Sequence, residues 1–136
     1  NPQFQESWIG AGGVPVPLGD GRYVMIYHTG NSRADGTLEY DLDAALLDMR
    51  HAVTDSSSVV RARIEHFMVP ETPEELGSSS TLQVQNVLFT CGSYLYGEHL
   101  YIVYGGADTY LLAARVQLAT LVRELEAADL RNPFVP

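Results

Sequence analysis

One pattern occurs twice in this sequence, and it constrains the fold more than any other feature. Each copy has a glycine turn, a strand of β-branched and aromatic residues, a polar loop containing glycine, and a second strand with an Ala-Ala pair. The first copy comprises Gly21, residues 24–27 and Ala44-Ala45; the second comprises Gly97, residues 101–104 and Ala113-Ala114. Short antiparallel strands repeated in a fixed order are typical of the blades of a β-propeller.

The repeat also settles an ambiguous segment. Residues 38–48 are rich in Ala and Leu, which favour a helix by propensity, but their place in the repeat predicts a strand. The sequence predicts other extended segments or strands at residues 10–17, 22–28, 58–69, 84–96, 99–104 and 108–116, with polar loops at 31–36 and 70–80.

Only the last part of the chain has helical periodicity. Leu118, Leu121, Val122 and Leu125 follow the i, i+3, i+4, i+7 spacing within residues 117–130. This spacing predicts an amphipathic helix that packs against the sheet, and a helix that binds a partner protein is the alternative.

These elements predict an all-β fold with one C-terminal helix, formed by a single partial β-propeller domain over residues 1–136. We expect one blade at residues 10–69, an incomplete blade at 84–116 and a helix at 117–130. Two blades cannot close a ring that needs about four to eight. The open edges favour association, so we expect either a truncated chain, which we prefer, or one completed by another copy of itself.

Charge and composition exclude several classes of function. The 17 acidic residues exceed the 8 basic ones, all arginine, and the net charge of −9 disfavours nucleic acid as a partner. No apolar run approaches the roughly 20 residues of a membrane span. Cys91 is the single cysteine and lies in an apolar run, so we expect a buried thiol and no intramolecular disulfide. We expect a cytoplasmic protein.

Six segments resemble, in the same order, segments of glycoside hydrolase family 130, whose members are five-bladed propellers that act on β-mannosides. The segments are residues 8–12, 20–28, 40–48, 64–77, 85–89 and 104–109. Three positions depart from the family pattern: Thr29 follows His28 before the glycine, Asp43 stands where the family usually has Gly, and Gln85 replaces a common Pro.

The resemblance implies an inverting reaction in which an Asp acts as general acid and phosphate, or water in the hydrolases, attacks the anomeric carbon. The family's catalytic Asp and its phosphate-binding Arg and Lys lie in earlier blades that this sequence does not contain. We therefore expect a fragment or short homologue that is inactive alone, with no catalytic residue assignable within it. The implied partners are a small carbohydrate and inorganic phosphate as co-substrate, without a cofactor. A non-catalytic module that binds sugar or forms oligomers is the alternative.

The resemblance also implies the site residues. His28 matches the family's phosphate-contacting His and Asp108 its sugar-contacting Asp, while Asn86 and Tyr27 would line the cleft and Trp8 could stack on a sugar. We expect His28 and Asp108 on one rim, both partly exposed, and Asp108 without a salt bridge. A histidine that donates to a backbone carbonyl and a turn aspartate are the ordinary alternatives for these two residues.

The sequence predicts no metal site. Its four histidines are scattered without ligand spacing; they are His28, His51, His66 and His99. Three acidic residues, Asp41, Asp43 and Asp48, lack the glycine turn of a calcium loop. We expect these three to form a solvated face.

Overall fold

The computed structural model describes residues 8–33, 36–78 and 84–131, which are mostly β-sheet. The strands are β1 (Trp8–Gly10), β2 (Val16–Pro17), β3 (Arg22–Ser32), β4 (Leu38–Asp48), β5 (Val60–Met68), β6 (Leu88–Tyr96), β7 (His99–Gly106) and β8 (Tyr110–Gln117). The helices are α1 (Pro73–Leu76) and α2 (Leu118–Arg131), with a 3-10 turn at Ser56–Ser58. The side chain of Cys91, predicted to be buried, lies outside the described residues.

The strands form two antiparallel sheets. The first has the order β1–β3–β4–β5, with β2 also paired to β3, and the second has the order β6–β7–β8. The two copies of the sequence pattern are the hairpins β3–β4 and β7–β8, in which Ile26 faces Ala44 and Ile102 faces Ala114. The predicted strand at Leu38–Asp48 is confirmed, because β4 pairs with β3 along its whole length.

Several strand boundaries and one loop differ from the prediction, including the starts of two strands in the second sheet. β6 begins at Leu88 rather than at residue 84, and β8 begins at Tyr110 rather than at Asp108. Ala107 and Asp108 have φ angles of 48° and 51°, which belong to the left-handed region and interrupt an extended strand. The loop predicted at residues 70–80 contains the short helix α1.

The apolar core lies between the two sheets and under α2. Because side chains alternate across a strand, one face of the first sheet and one face of the second supply it. Its fully buried members include Val24, Ile26, Leu42, Leu88, Leu100, Ile102, Leu121 and Leu125. Each such side chain stabilises the fold by about 1.5–3 kcal/mol. The helix predicted to pack against the sheet is confirmed, and no helix among the described residues is long and apolar enough to cross a membrane.

Two glycines between β1 and β2 allow close approach of the backbone. A Cβ on Gly12 would lie 1.9 Å from the carbonyl oxygen of Ile26, and a Cβ on Gly13 would lie 2.8 Å from the Cα of Gly92 on β6. Neither distance is possible for a real side-chain carbon, so only glycine fits at these positions. The two glycines thus hold the first strand segment close to β3 and to the second sheet.

The outer face of the second sheet is aromatic and open. The strand register places Tyr94, Tyr96, Tyr101 and Leu111 on this face, which we call the aromatic face. Leu111 is 82% exposed and Tyr96 is 74% exposed, and the rings of Tyr94 and Tyr101 stack at 5.3 Å. These side chains leave apolar surface of the second sheet in contact with water.

Candidate functional site

His28 lies on β3 with its ring directed between the two sheets. In the strand register it faces Gly10 on β1 and Leu42 on β4, and its ring centroid lies 4.1 Å from that of Phe89 on β6. A Cβ on Gly10 would lie 1.9 Å from Nε2 of His28. The glycine therefore provides the space that the imidazole occupies.

The ring of His28 is buried, and the prediction that it is partly exposed is wrong. The residue is only 7% exposed, because Phe89 of the second sheet packs on its ring. Burial lowers the pKa of His28, so the imidazole is neutral near pH 7. Its Nδ1 has no hydrogen-bond partner within the described residues. A neutral imidazole can donate one hydrogen bond and accept another.

His28 belongs to a row of aromatic rings that connects the two sheets. Trp8 packs on Gly30, where a Cβ would lie 1.9 Å from the indole, and it contacts Tyr40 edge-to-face with ring centroids 5.3 Å apart. The ring of Tyr40 lies 6.5 Å from that of His28. The backbone N–H of Tyr40 also donates to the carbonyl of Asn86 at 2.9 Å, which ties this row to the second sheet.

Asn86 and Asp108 lie on one small backbone structure, which we call the rim and define as Asn86, Val87, Ala107 and Asp108. The N–H of Ala107 donates to the carbonyl of Val87 at 3.0 Å, and Val87 forms a β-bridge with Tyr40. Asp108 is exposed and forms no salt bridge within the described part of the chain. The backbone of the rim therefore lies beside Tyr40.

Tyr27 points away from these residues. Neighbouring residues on a strand face opposite sides of the sheet, so Tyr27 and His28 are separated by the sheet itself. The Tyr27 hydroxyl accepts a hydrogen bond from Nε of Arg63 at 2.5 Å, and Nη2 of Arg63 binds Asp43 at 3.2 Å. Burial raises the pKa of Tyr27. Tyr27 therefore lies on the face of the sheet opposite to His28.

The expected solvated face of aspartates is wrong for two of its three members. Asp41 is 0% exposed and Asp43 is 1% exposed, whereas Asp48 is half-buried and pairs with Arg50 at 2.5 Å. Residues of β5 bind both buried carboxylates, at an irregularity in the register of β4 with β5 where His66 adopts a left-handed φ of 52°. This bulge brings His66 Nδ1 to 2.6 Å from Asp41, and its backbone N–H donates to Asp43 at 2.9 Å.

The buried environment and the hydrogen bonds of Asp41, Asp43 and His66 shift two pKa values. Burial raises the pKa of Asp43, although the N–H of His66 and the guanidinium of Arg63 oppose the rise. The hydrogen bond to Asp41 raises the pKa of His66. Among the described residues, no group of three or more His, Cys, Asp or Glu side chains is placed to hold a metal ion.

A comparison with protein families identifies the family to which the chain belongs. The model of glycoside hydrolase family 130, described as beta-1,4-mannooligosaccharide phosphorylase, matches residues 1–126. The chain belongs to this family. The family resemblance predicted from the six sequence segments is therefore confirmed.

Individual members of the family agree with this assignment. The chain is 33% identical over 115 residues to a 1,2-beta-oligomannan phosphorylase of Thermoanaerobacter sp. (strain X514). It superimposes on the solved beta-1,2-mannobiose phosphorylase of Listeria innocua, in complex with beta-1,2-mannobiose, with a TM-score of 0.70 and 26% identity. That match covers 93% of this chain and 33% of the other, and the Thermoanaerobacter match covers 85% and 34%. The chain spans about a third of the length of these relatives.

The sequence does not identify two aromatic neighbours of His28 and Trp8. Tyr40 and Phe89 contact His28 or Trp8 in the structure, whereas the sequence places them only in strands and in the segments that resemble the family. Gly10 and Gly30 are a sequence signal that another group packs on these strands, since a strand glycine often marks the close approach of such a group. Which group approaches depends on the register with β1, and this cannot be read from the sequence.

Proposed function

We propose that this chain supplies part of the active site of a β-mannoside phosphorylase or related hydrolase. The observation that carries the proposal is the family match over residues 1–126, and the contacts of Tyr40 with the ring of His28 and with the backbone of Asn86 support it. The reaction would be an inverting attack of phosphate, or of water, at the anomeric carbon. The general acid would come from outside these residues, so the chain alone is proposed to be inactive.

In this proposal His28 contacts phosphate. A neutral imidazole donates a hydrogen bond to a phosphate oxygen, and its low pKa keeps it neutral near pH 7. Its Nδ1, which has no hydrogen-bond partner within the described residues, is a nitrogen that could make this bond. Because Phe89 covers the ring and Nδ1 is itself buried, phosphate would reach the ring only after a neighbouring side chain moves.

Asp108 and Asn86 are proposed to bind the sugar. An ionised carboxylate accepts hydrogen bonds from two hydroxyl groups, and an amide can donate and accept at once. Asp108 is exposed and keeps its oxygens free of salt bridges within the described chain, which supports this role. Tyr27 is not included in the proposed site, because its hydroxyl is bound by Arg63 on the other face of the sheet.

The roles of His28 and Asp108 can be separated in a chimaera in which residues 1–126 replace the matching third of the Thermoanaerobacter relative. We expect His28→Ala to raise the KM for phosphate about tenfold while changing the KM for the mannoside little, and Asp108→Ala to do the reverse, since each removes one hydrogen-bonding partner. Glu98→Ala, at an exposed turn, is the control. Release of mannose 1-phosphate by the unfused chain, or equal effects on both KM values, would contradict the proposal.

The aromatic face favours the second candidate function, an oligomerising module. We expect the chain at micromolar concentration to have more than the mass of one chain by light scattering, because the aromatic face would otherwise remain in water. Leu111→Glu should shift the chain towards the monomer. The same change at Val53, which is fully exposed in a turn, should not. A monomeric wild-type chain would exclude this candidate.

A further inference from the structure

Glu75 is a buried carboxylate that the proposed chemistry does not use. It is 5% exposed, and both of its oxygens accept hydrogen bonds. Oε1 accepts from the Tyr104 hydroxyl at 2.6 Å, while Oε2 accepts from the N–H groups of Thr72 at 2.8 Å and Glu71 at 3.0 Å. Backbone N–H groups cannot accept, so Oε2 must stay an acceptor, and the ionised form satisfies all three donors.

The carboxylate fixes a helix that could not form alone. α1 has only four residues, fewer than an isolated helix needs in water. The bonds of Glu75 to Thr72 and Glu71 close its N-terminal turn, and the bond to Tyr104 attaches it to β7 of the second sheet. The position of α1 thus depends on one side chain.

The backbone of α1 in turn holds the first half of the rim. The carbonyl of Leu76 accepts the N–H of Asn86 at 3.1 Å, and the carbonyl of Glu75 accepts the N–H of Val87 at 3.3 Å. Asn86 has a left-handed φ of 57°, a conformation that non-glycine residues adopt rarely. A residue in such a conformation persists only where its surroundings fix it.

The second half of the rim packs on the same helix. A Cβ on Gly106 would lie 2.9 Å from the carbonyl oxygen of Glu74, and a Cβ on Gly77 would lie 2.9 Å from the Cβ of Ala107. Ala107 and Asp108 both have left-handed φ angles, and Ala107 is fully buried. The strained turn that presents Asp108 is therefore enclosed by α1 on one side and Val87 on the other.

We propose that Glu75 is a positioning residue that sets the geometry of the rim, and through it the sugar-binding groups of Asn86 and Asp108. The part of this inference that concerns sugar affinity rests on the proposed function. The part that concerns the geometry of the rim does not, and it can be measured without any ligand.

The test uses Glu75→Gln and Tyr104→Phe in the whole chain, with Glu74→Gln as the matched control, because Glu74 is the exposed neighbour in the same helix. The glutamine NH2 would meet either the Tyr104 hydroxyl or a backbone N–H, and one donor would lose its partner. We expect hydrogen exchange of the Asn86 and Ala107 amides to rise at least about tenfold in Glu75→Gln, and less in Tyr104→Phe, which keeps the two backbone bonds. Glu74→Gln should match the wild type.

Binding of beta-1,2-mannobiose to the same variants gives the second readout. We expect Glu75→Gln to bind about tenfold more weakly than the wild type while Glu74→Gln binds equally. A lower melting temperature in Glu75→Gln with unchanged exchange at Asn86 and Ala107 would show a merely structural role and overturn the inference. A wild-type chain that binds no mannobiose would count against the proposed function, while the exchange result would still decide the role of Glu75.

A pH titration of the wild-type chain keeps the inference testable if Glu75→Gln does not fold. Burial raises the pKa of Glu75, but the bonds from Tyr104, Thr72 and Glu71 outweigh it, so the pKa lies below its usual value. A carboxylate with a lowered pKa holds the rim at neutral pH and releases it as the pH falls through that pKa. We expect the amide signals of Asn86, Val87, Ala107 and Asp108 to shift together in that acidic range. Signals that stay constant while Glu75 titrates would overturn the inference.

Discussion

Gly12→Ala is expected to destabilise the chain more than any other single methyl group added to it. The new Cβ would lie 1.9 Å from the carbonyl oxygen of Ile26 and 2.8 Å from the Cα of Tyr27. Both contacts are with the backbone of β3, which is paired on both sides and cannot move away as a flexible side chain could. Overpacking of this kind costs about 1–3 kcal/mol, and more where backbone must shift, so we expect a loss of at least about 3 kcal/mol.

The measurement is chemical denaturation of the two alanine variants Gly12→Ala and Gly92→Ala. Gly92 is also a strand glycine, but a Cβ there would meet no atom within 4 Å. Gly92→Ala should therefore unfold at nearly the wild-type denaturant concentration. Equal midpoints for the two variants would show that the segment between β1 and β2 does not lie as close to β3 as the structure places it.

The second large effect is expected from Arg63→Met, which removes the charge and keeps the apolar stem. The Arg63 side chain is 11% exposed and that of Asp43 is 1% exposed, so the variant leaves a carboxylate buried without its cation. Breaking a buried pair by removing one partner costs about 3–5 kcal/mol. Tyr27 would also lose the donor to its hydroxyl.

Arg50→Met is the control for Arg63→Met. The bond of Arg50 to Asp48 is shorter than that of Arg63 to Asp43, 2.5 Å against 3.2 Å. Arg50 is 53% exposed, however, so water replaces the lost partner and little change in stability is expected.

The loss of unfolding free energy in Arg63→Met, which we call the deficit, should also depend on pH. Burial raises the pKa of Asp43, and protonation removes the buried charge, so the deficit should be smallest below that pKa and largest above it. A deficit that is independent of pH would assign the loss to packing instead.

The fold could be predicted from the sequence largely because a repeat supplies information that propensity does not. Leu38–Asp48 reads as a helix by composition, and only its correspondence with the second copy identifies the strand β4. Two further features of the structure can be predicted from the sequence. The alternation of side chains already separates Tyr27 from His28, and Thr72, Pro73 and Glu75 form the pattern of a helix N-terminus within the predicted loop.

The burial of Asp41 and Asp43 could not be predicted, because it depends on contacts between strands. Their partners Arg63 and His66 lie on β5, and the bulge that brings His66 to them changes the pairing of β5 with β4. A bulge has no reliable sequence pattern when it contains no glycine. The burial of His28 is similar, since Phe89 comes from the other sheet.

The bulge in β5 also constrains how this segment can change in length. Ala44 pairs with Ile64 and Leu42 with Met68, so two residues of β4 are spanned by four of β5. Loss of two residues would restore a regular ladder and keep Met68 on its present side of the sheet. Loss of one residue would turn every side chain beyond it to the opposite side. Insertions and deletions of two residues should therefore be tolerated here, whereas those of one residue should not. Whether the segment has an odd or an even number of residues is then constrained more strictly than its length.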